Sequence, residues 1–122
     1  MVTNTSFLAT FLWTEEPTRP TQVSSGFNIS LKWNFEPAES FLFLIVTRQA
    51  LTSNSSEQNI ASKLNNGSSH IYDEFVDRAE LLDMATVVLR NMTDSDQGGY
   101  CCTVFTLEKM HSSCVDVLVL GK

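Results

Sequence analysis

Apolar and polar positions alternate with a period of two along much of this chain, the pattern of strands with one buried face. The clearest run follows Gly26, where Phe27, Ile29, Leu31 and Trp33 alternate with polar residues. Comparable runs predict further strands at 8–13, 41–48, 71–75, 78–82, 85–89, 100–107 and 114–120. Every run has the length of a strand, so the pattern predicts an all-β domain and leaves a sandwich or a barrel open.

The connections between these runs refine the prediction. Residues 36–39 form a loop, and the β-branched and aromatic strand at 41–48 is expected to lie in the interior of the domain. Residues 52–69 are rich in Ser and Asn with few apolar positions, which predicts short edge strands and surface loops. The interval between the strands at 41–48 and 78–82 is long enough for two additional strands.

The 122 residues suit a single domain, with an opening strand region at 1–25 and the body of the fold at 26–120. The longest apolar run is far shorter than the roughly 18 residues of a membrane span, so no direct membrane insertion is expected. The formal net charge of −6 argues against nucleic-acid binding, which needs a basic surface.

Asn-x-Ser/Thr sequons make glycosylation a candidate modification. Their density in a short chain favours an extracellular domain, whereas an intracellular protein with Ser- and Asn-rich loops would never meet the glycosylation machinery. The signal peptide and membrane span of a plasma-membrane protein are expected to lie outside this segment. The candidate glycosylation sites are Asn4, Asn28, Asn54, Asn66 and Asn91.

Catalytic, metal and cofactor chemistry has no support in the sequence. Nucleophile–base pairs, paired carboxylates, Gly-rich phosphate loops and metal-ligand spacings are missing, so neither an enzyme nor a cofactor is expected. His70 and His111 show no ligand spacing, and the adjacent Cys101 and Cys102 point to opposite faces of a strand. Three Cys predict one disulfide and one free thiol.

The motif Asp96-Gln97-Gly98-Gly99-Tyr100-Cys101-Cys102 carries the strongest fold signal. Its Asp-x-Gly-x-Tyr-x-Cys spacing resembles the E–F corner and F strand of an immunoglobulin-like β-sandwich, and the region 26–120 resembles a V-set domain. The resemblance implies a tyrosine corner at Tyr100 and a structural salt bridge between Arg78 and Asp96. It also implies core positions at Trp33, Val87, Leu89 and Met92.

The chain departs from the usual V-set pattern at two places. Trp33 stands where strand B supplies the inter-sheet Cys, so the B–F disulfide is expected to be missing. The strand-C Trp position falls near Phe43 or Ile45, and no Trp is present there. A domain that has the V-set corner but lacks both the strand-B Cys and the strand-C Trp resembles the membrane-distal domains of the allorecognition proteins of colonial hydroids.

That resemblance implies a cell-surface recognition domain that binds another copy of itself, or a closely similar domain, in trans. A heterophilic immune-type receptor ectodomain or a viral immunoglobulin-like decoy is the alternative. Self-association of the isolated domain separates the two hypotheses.

Strand parity assigns the three Cys. Tyr100 and Cys102 share one face, expected to be the core, so Cys101 points outward. Alternating valines form the apolar face of the last strand, which leaves Cys114 outward as well. A turn near 107–108 would place Cys101 opposite Cys114, which predicts that disulfide and a buried thiol at Cys102 packed against Trp33. A Cys102–Cys114 bond, which needs a one-residue bulge, stays open, as does a fully reduced intracellular protein.

The sheet that contains the strands at 41–48, 100–107 and 114–120 is where V domains commonly meet other V domains. Its outer face is therefore the candidate binding face. Phe105 points outward by parity and is either an interface anchor or a cover for the hairpin disulfide. The charged residues of the hairpin turn, next to Met110, are expected to be solvated. The candidate residues are Arg48, Thr103, Phe105, Glu108, Lys109, His111 and Asp116.

Overall fold

A computed structural model describes residues 10–18, 21–50 and 57–121 of the chain. The described residues form strands and three short 3₁₀ turns, at Ala38–Ser40, Asp73–Phe75 and Asp94–Asp96, without an α-helix. The strands are β1 (Leu12–Glu15), β2 (Thr21–Ser24), β3 (Ile29–Glu36), β4 (Phe41–Gln49), β5 (Gln58–Leu64), β6 (Ser69–Ile71), β7 (Ala79–Leu82), β8 (Ala85–Leu89), β9 (Gly98–Thr106) and β10 (Met110–Leu120). The predicted all-β class is confirmed.

The strands form two sheets that face each other as a β-sandwich. The smaller sheet has the order β1-β3-β8-β7, and the larger has the order β2-β10-β9-β4-β5-β6. Neighbouring strands pair antiparallel, except that β2 runs parallel to β10. The chain crosses from one sheet to the other between β1 and β2, β2 and β3, β3 and β4, β6 and β7, and β8 and β9, and the remaining consecutive strands pair within one sheet, the arrangement of a Greek-key sandwich.

The inner faces of the two sheets enclose one hydrophobic core. Trp33, Val87, Leu89 and Met92 are each 1% exposed or less. Phe27 breaks the alternation predicted for its strand, because β3 begins only at Ile29 and the Phe27 side chain is 67% exposed. The turn before it uses Gly26 at φ 89°, a left-handed conformation that favours glycine.

A polar contact crosses this core between the sheets. The indole Nε1 of Trp33, on β3, donates a hydrogen bond of 3.0 Å to Ser113 Oγ on β10. Ser113 Oγ donates in turn to Glu16 Oε1 at 2.5 Å. Trp33 thus joins the smaller sheet to the larger one through a buried hydrogen bond, and its ring fills the space between them.

The interior strand at 41–48 differs from the prediction. A register irregularity between Phe41 and Phe43 shifts the alternation, so Phe41 is buried while Phe43 lies on the outer face. The fully buried positions of β4 are Leu44 and Val46. Placing Phe43 or Ile45 at a core position was therefore wrong, because a one-residue irregularity exchanges the two faces of a strand.

Two predicted boundaries also move. The segment at 71–75 is a strand only to Ile71, and Asp73–Phe75 forms a 3₁₀ turn. In the Ser- and Asn-rich region, β5 is a full seven-residue strand beside β4 rather than a short edge strand. The opening strand begins at Leu12 among the described residues, and the predicted start at Leu8 lies outside them.

Candidate functional site

The hairpin of β9 and β10 carries a disulfide between Cys101 and Cys114, as the strand parity predicts. The two residues are direct register partners, with Cα atoms 4.0 Å apart. Cys102 is a free, fully buried thiol, and burial raises its pKa to about 12. The Cys101–Cys114 bond therefore lies within the larger sheet, and Cys102 remains protonated and unreactive at neutral pH.

The turn at Asp94–Asp96, before β9, is the corner of the fold. Tyr100 Oη donates a hydrogen bond of 2.5 Å to the carbonyl oxygen of Asp96, and burial raises the pKa of Tyr100 to about 12. Arg78 donates two hydrogen bonds to the Asp96 carboxylate, at 2.8 and 3.1 Å. The backbone N–H of Thr93 donates to the same carboxylate at 2.8 Å. Arg78 and Asp96 are thus paired with each other, which favours a structural role.

Arg48 belongs to this corner and not to the outer face, where the sequence placed it. Its register partner is Tyr100, so the side chain lies on the inner side of the sheet. The guanidinium donates to the carbonyl oxygens of Ser95, Asp96 and Gln97, and to Gln58 Oε1 at 2.6 Å. The parity shift near Phe41 is the physical reason for the error. Arg48 therefore stabilises the corner by hydrogen bonds and does not contribute a charge to the outer face.

The opposite end of the larger sheet presents an apolar outer face. Four side chains lie side by side in register across β10, β9, β4 and β5, and we name this row the apolar stripe: Met110, Phe105, Phe43 and Leu64. The stripe runs roughly 14 Å across the sheet at a strand spacing of about 4.8 Å. Its ends are the most exposed, with Met110 at 61% and Leu64 at 46%.

Phe105 has a packing partner on the outer face. Its ring centroid lies 5.8 Å from that of Phe43, with a 43° angle between the ring planes. The two rings remain half-buried and form the centre of the apolar stripe. Aromatic pairs of this kind are rigid and lose little conformational freedom on binding, which suits an interface anchor.

The row next to the apolar stripe is uncharged on β10, β9 and β4, where Ser112, Thr103 and Ile45 are register partners. Thr103 Oγ1 and Ser112 Oγ lie 2.8 Å apart, directly below Phe105 and Met110 along their strands. Asp116 is exposed at the far end of the sheet, opposite Gly99. Among the predicted face residues, Thr103 and Phe105 are therefore close together, and Asp116 lies several rows away from them.

The hairpin turn beyond the apolar stripe is tight and exposed. Thr106 N donates to the Lys109 carbonyl at 2.9 Å, which leaves Leu107 and Glu108 as the two central residues. Leu107 is 87% exposed, and the Glu108 and Lys109 side chains are exposed as well. The turn extends the apolar surface with Leu107 and places one acidic and one basic group at its rim.

His111 is a predicted member of the candidate binding face, expected in the solvated hairpin turn, and the structure instead places it on β10 with its side chain inward. Its register partner is the buried Val104, and its ring stacks on Phe11 at 3.9 Å with 7° between the planes. Burial, together with the charge of Lys109, lowers the pKa of His111. Because β10 begins at Met110 and not at Cys114, the inward alternation of its valines extends back to this residue.

Phe43 and Leu64 escaped the sequence prediction for different reasons. Simple alternation places Phe41 and Phe43 on the same face of the strand. The irregularity after Phe41 puts them on opposite faces, so the sequence pattern does not show that Phe43 points outward. Leu64 belongs to the region expected to form short edge strands and surface loops, and it is one of the few apolar residues there. That isolated apolar position was the available signal.

An open cleft of about 410 Å³ lies at the β5–β6 edge of the larger sheet. Several of its polar groups bond to one another or to the sheet: Gln58 Nε2 donates to Glu74 Oε1 at 2.5 Å, and Tyr72 Oη donates to Ser62 Oγ at 3.4 Å. Within the described residues, no group of three or more His, Cys, Asp or Glu could hold a metal ion.

No helix in the described part of the chain is long and apolar enough to cross a membrane. Comparison with protein-family models finds no match, and comparison with curated proteins finds none either. Inference about function therefore depends on the surface of the domain itself.

Proposed function

We propose that the chain is an extracellular recognition domain of the V-set immunoglobulin-like type. In this proposal it binds a second copy of itself, or a closely similar domain, in trans through the outer face of its larger sheet. The observation that carries the proposal is the apolar stripe of Met110, Phe105, Phe43 and Leu64, aligned in register over four strands.

The strand order supports the V-set assignment. In V-type domains two extra strands extend the sheet that holds strands G, F and C, opposite a sheet of strands A, B, E and D. Here β5 and β6 extend the sheet of β10, β9 and β4, opposite β1, β3, β8 and β7. The tyrosine corner at Tyr100 and the Arg78–Asp96 pair add to this support.

The Cys arrangement supports a V-set variant that lacks the inter-sheet bridge. Cys101 is bonded to Cys114 within one sheet, and Cys102 is a free thiol. Trp33 is fully buried and crosses between the sheets by its hydrogen bond to Ser113. A large ring at this position supplies packing in place of a covalent bond.

The apolar stripe is unusual for a solvent-facing surface. An antiparallel sheet with one face on the core normally shows polar residues on the other face. Here four neighbouring apolar residues are flanked by uncharged Thr103 and Ser112. A continuous apolar patch with aromatic anchors and few charges has the composition of an interface centre.

The net charge of the chain opposes association of two copies, but the proposed binding face carries no charge of its own. The chain carries a net charge of −6, so two copies repel each other at long range. The apolar stripe and the Thr103 row contain no charged side chain, so two faces brought together about a two-fold axis would bury apolar groups against apolar groups. Met110 and Leu64, at opposite ends of the stripe, would then each meet the partner's stripe.

Bead aggregation and sedimentation of the domain test this proposal. Wild-type domain displayed on beads is expected to aggregate them, while the free domain associates weakly, because multivalent display multiplies weak contacts. Phe105→Ser and Leu64→Ser are expected to abolish aggregation, since each removes apolar area from the interface. Leu82→Ser is the matched control, because Leu82 is 45% exposed, like Leu64, but lies on β7 of the smaller sheet.

The results separate the alternatives. A wild-type domain that neither aggregates beads nor self-associates would contradict homophilic binding and favour a heterophilic receptor or decoy. Aggregation that survives both stripe substitutions but fails with Leu82→Ser would assign the interface to the smaller sheet.

A further inference from the structure

The described residues contain three of the five sequons, at Asn28, Asn66 and Asn91, and all three asparagines are exposed. Asn4 and Asn54 lie outside the described residues. Asn28 and Asn91 adjoin each other at one end of the sandwich, whereas Asn66 lies in the turn between β5 and β6, and the local bonding of the three sites differs. They are therefore not equivalent as acceptors, nor in what an attached sugar would cover.

Asn66 lies in the turn between β5 and β6. Its neighbour Asn65 fixes this turn, donating from Nδ2 to the Phe41 carbonyl at 2.8 Å. Asn66 Oδ1 accepts a hydrogen bond of 2.9 Å from the backbone N–H of Ser68, the hydroxyl residue of its own sequon. Within the described part of the chain, Asn66 Nδ2 donates no hydrogen bond, so the atom that accepts a sugar is free on a turn held by several hydrogen bonds.

Asn28 and Asn91 lie together near the corner of the fold. The backbone N–H of Asn91 donates to Asn28 Oδ1 at 3.0 Å, and the Asn91 carbonyl accepts from Arg78. Asn91 also has a left-handed backbone, with φ 57°. Sugars at this end would lie beside the smaller sheet and the corner, away from the apolar stripe.

We propose that Asn66 is an N-glycosylation site whose sugar borders the β5 end of the apolar stripe and limits access to it. Asn66 follows the stripe residue Leu64 by two positions, and the Leu64 backbone pairs with Gly67 and Ser68 of the same turn. A branched oligosaccharide there is bulky and solvated, so it excludes a partner from its surroundings. The inference that the sugar limits access to the apolar stripe depends on the proposed function.

The modification has a defined chemistry. The donor is a polyprenyl-diphosphate-linked oligosaccharide of the secretory pathway. A bond forms between Asn66 Nδ2 and the anomeric carbon of the first sugar, and the bond from that carbon to the diphosphate oxygen breaks. The amide nitrogen releases one proton to solvent, and the polyprenyl diphosphate leaves with the electron pair of the broken bond.

Glycopeptide mapping of the 122-residue chain, secreted from a eukaryotic cell line, tests the site itself. Asn66 is expected to be occupied in wild type and unoccupied in Ser68→Ala, which leaves the backbone bonds of the turn in place. Ser30→Ala removes the Asn28 sequon on an exposed side chain of β3 and serves as the matched control. An unmodified Asn66 in correctly folded, secreted protein would overturn the inference.

Bead aggregation with the same three proteins tests the effect on the apolar stripe. Ser68→Ala is expected to strengthen association about threefold or more, because steric exclusion at an interface edge shortens the lifetime of the complex. Ser30→Ala should match wild type. If Asn66 is glycosylated but Ser68→Ala aggregates beads no more strongly than wild type, the sugar does not limit access to the apolar stripe. The assignment of Asn66 as a glycosylation site would then stand without that role. Absence of aggregation in all three proteins would count against the proposed function alone, because mapping decides the site independently.

Discussion

At one end of β9, Tyr100, Asp96 and their arginines form a corner in which each polar group bonds to another. At the other end, roughly 17 Å along the same strand, Phe105 and Phe43 pair on a surface that faces solvent. Buried polar groups are costly unless paired, so the corner is arranged for stability. Half-exposed rings add less to stability than buried ones, and their alignment with Leu64 and Met110 is the basis of the proposed binding face.

The largest expected effect lies at the corner. Arg78→Met removes the cation that bonds the Asp96 carboxylate, whose side chain is only 10% exposed. Leaving a mostly buried carboxylate without its partner is expected to lower the free energy of unfolding by about 3 to 4 kcal/mol. Urea unfolding followed by tryptophan fluorescence measures the change.

Arg90→Met is the control for that substitution. Arg90 pairs with Glu80 at 3.4 Å, but both side chains are at least 40% exposed. An exposed pair contributes at most about 1 kcal/mol. An equal loss of free energy of unfolding in Arg78→Met and Arg90→Met would contradict the conclusion that the corner pair stabilises the fold more than an exposed pair.

The disulfide is expected to contribute somewhat less. Replacing both Cys101 and Cys114 by Ala releases a bond that spans 13 residues. Loop-closure entropy sets its contribution to the free energy of unfolding at about 2 to 3 kcal/mol. Thermal unfolding of the double variant measures the loss, with Cys102→Ser as a separate test of the buried thiol. A loss below about 0.5 kcal/mol would show that the paired strands constrain the hairpin without the bond.

The corner also predicts a pH dependence. Burial raises the pKa of Asp96, but hydrogen bonds from Arg78 and the Thr93 backbone, with the charge of Arg78, hold it below the usual 3.8. The ionised form therefore adds stability that is present above about pH 4 and lost as the pH falls through the folded-state pKa. Asp96→Asn lacks this titration.

Unfolding of both proteins between about pH 3 and 7 checks the sign. The difference in free energy of unfolding between wild type and Asp96→Asn is expected to be constant near neutral pH and to shrink in acid. A difference that grows in acid would mean that the folded state raises the pKa of Asp96.

The smallest expected change in stability belongs to the apolar stripe. Phe105→Ser removes a half-buried ring from the outer face, so the free energy of unfolding should fall by about 1 kcal/mol or less. Self-association should nonetheless be lost. Differential scanning calorimetry measures the stability of the variant and bead aggregation measures its self-association, so the two together test whether only the second is lost. A large loss of stability would mean that Phe105 mainly covers the hairpin, and the contrast between the two ends of β9 would fail.

Parity explains what the sequence could predict. Regular alternation in β9 and β10 with a two-residue turn places Cys101 opposite Cys114, so the disulfide follows from counting. The same counting fails in β4, where the irregularity after Phe41 reverses the face of every later residue, Arg48 included. An irregularity of this kind depends on tertiary packing and leaves no local signal.

His111 and the inter-sheet contact show a second limit. His111 continues the inward alternation of the β10 valines, but the apolar run predicts a strand that begins at Cys114, four residues after its start in the structure. Trp33 was expected at the position of the lost Cys, yet its hydrogen bond to Ser113 depends on the packing of the two sheets. Contacts between elements far apart in sequence do not follow from the pattern within either one.

The position of the disulfide has a mechanical consequence. Phe105 and Met110 lie within the loop that Cys101 and Cys114 close. Tension applied to the ends of the chain passes from β10 to β9 through the sulfur atoms and bypasses the residues between them. A domain pulled from both ends can thus lose the contact between its sheets while the tip of its hairpin keeps its length. The half of the apolar stripe on that tip is protected from extension under load.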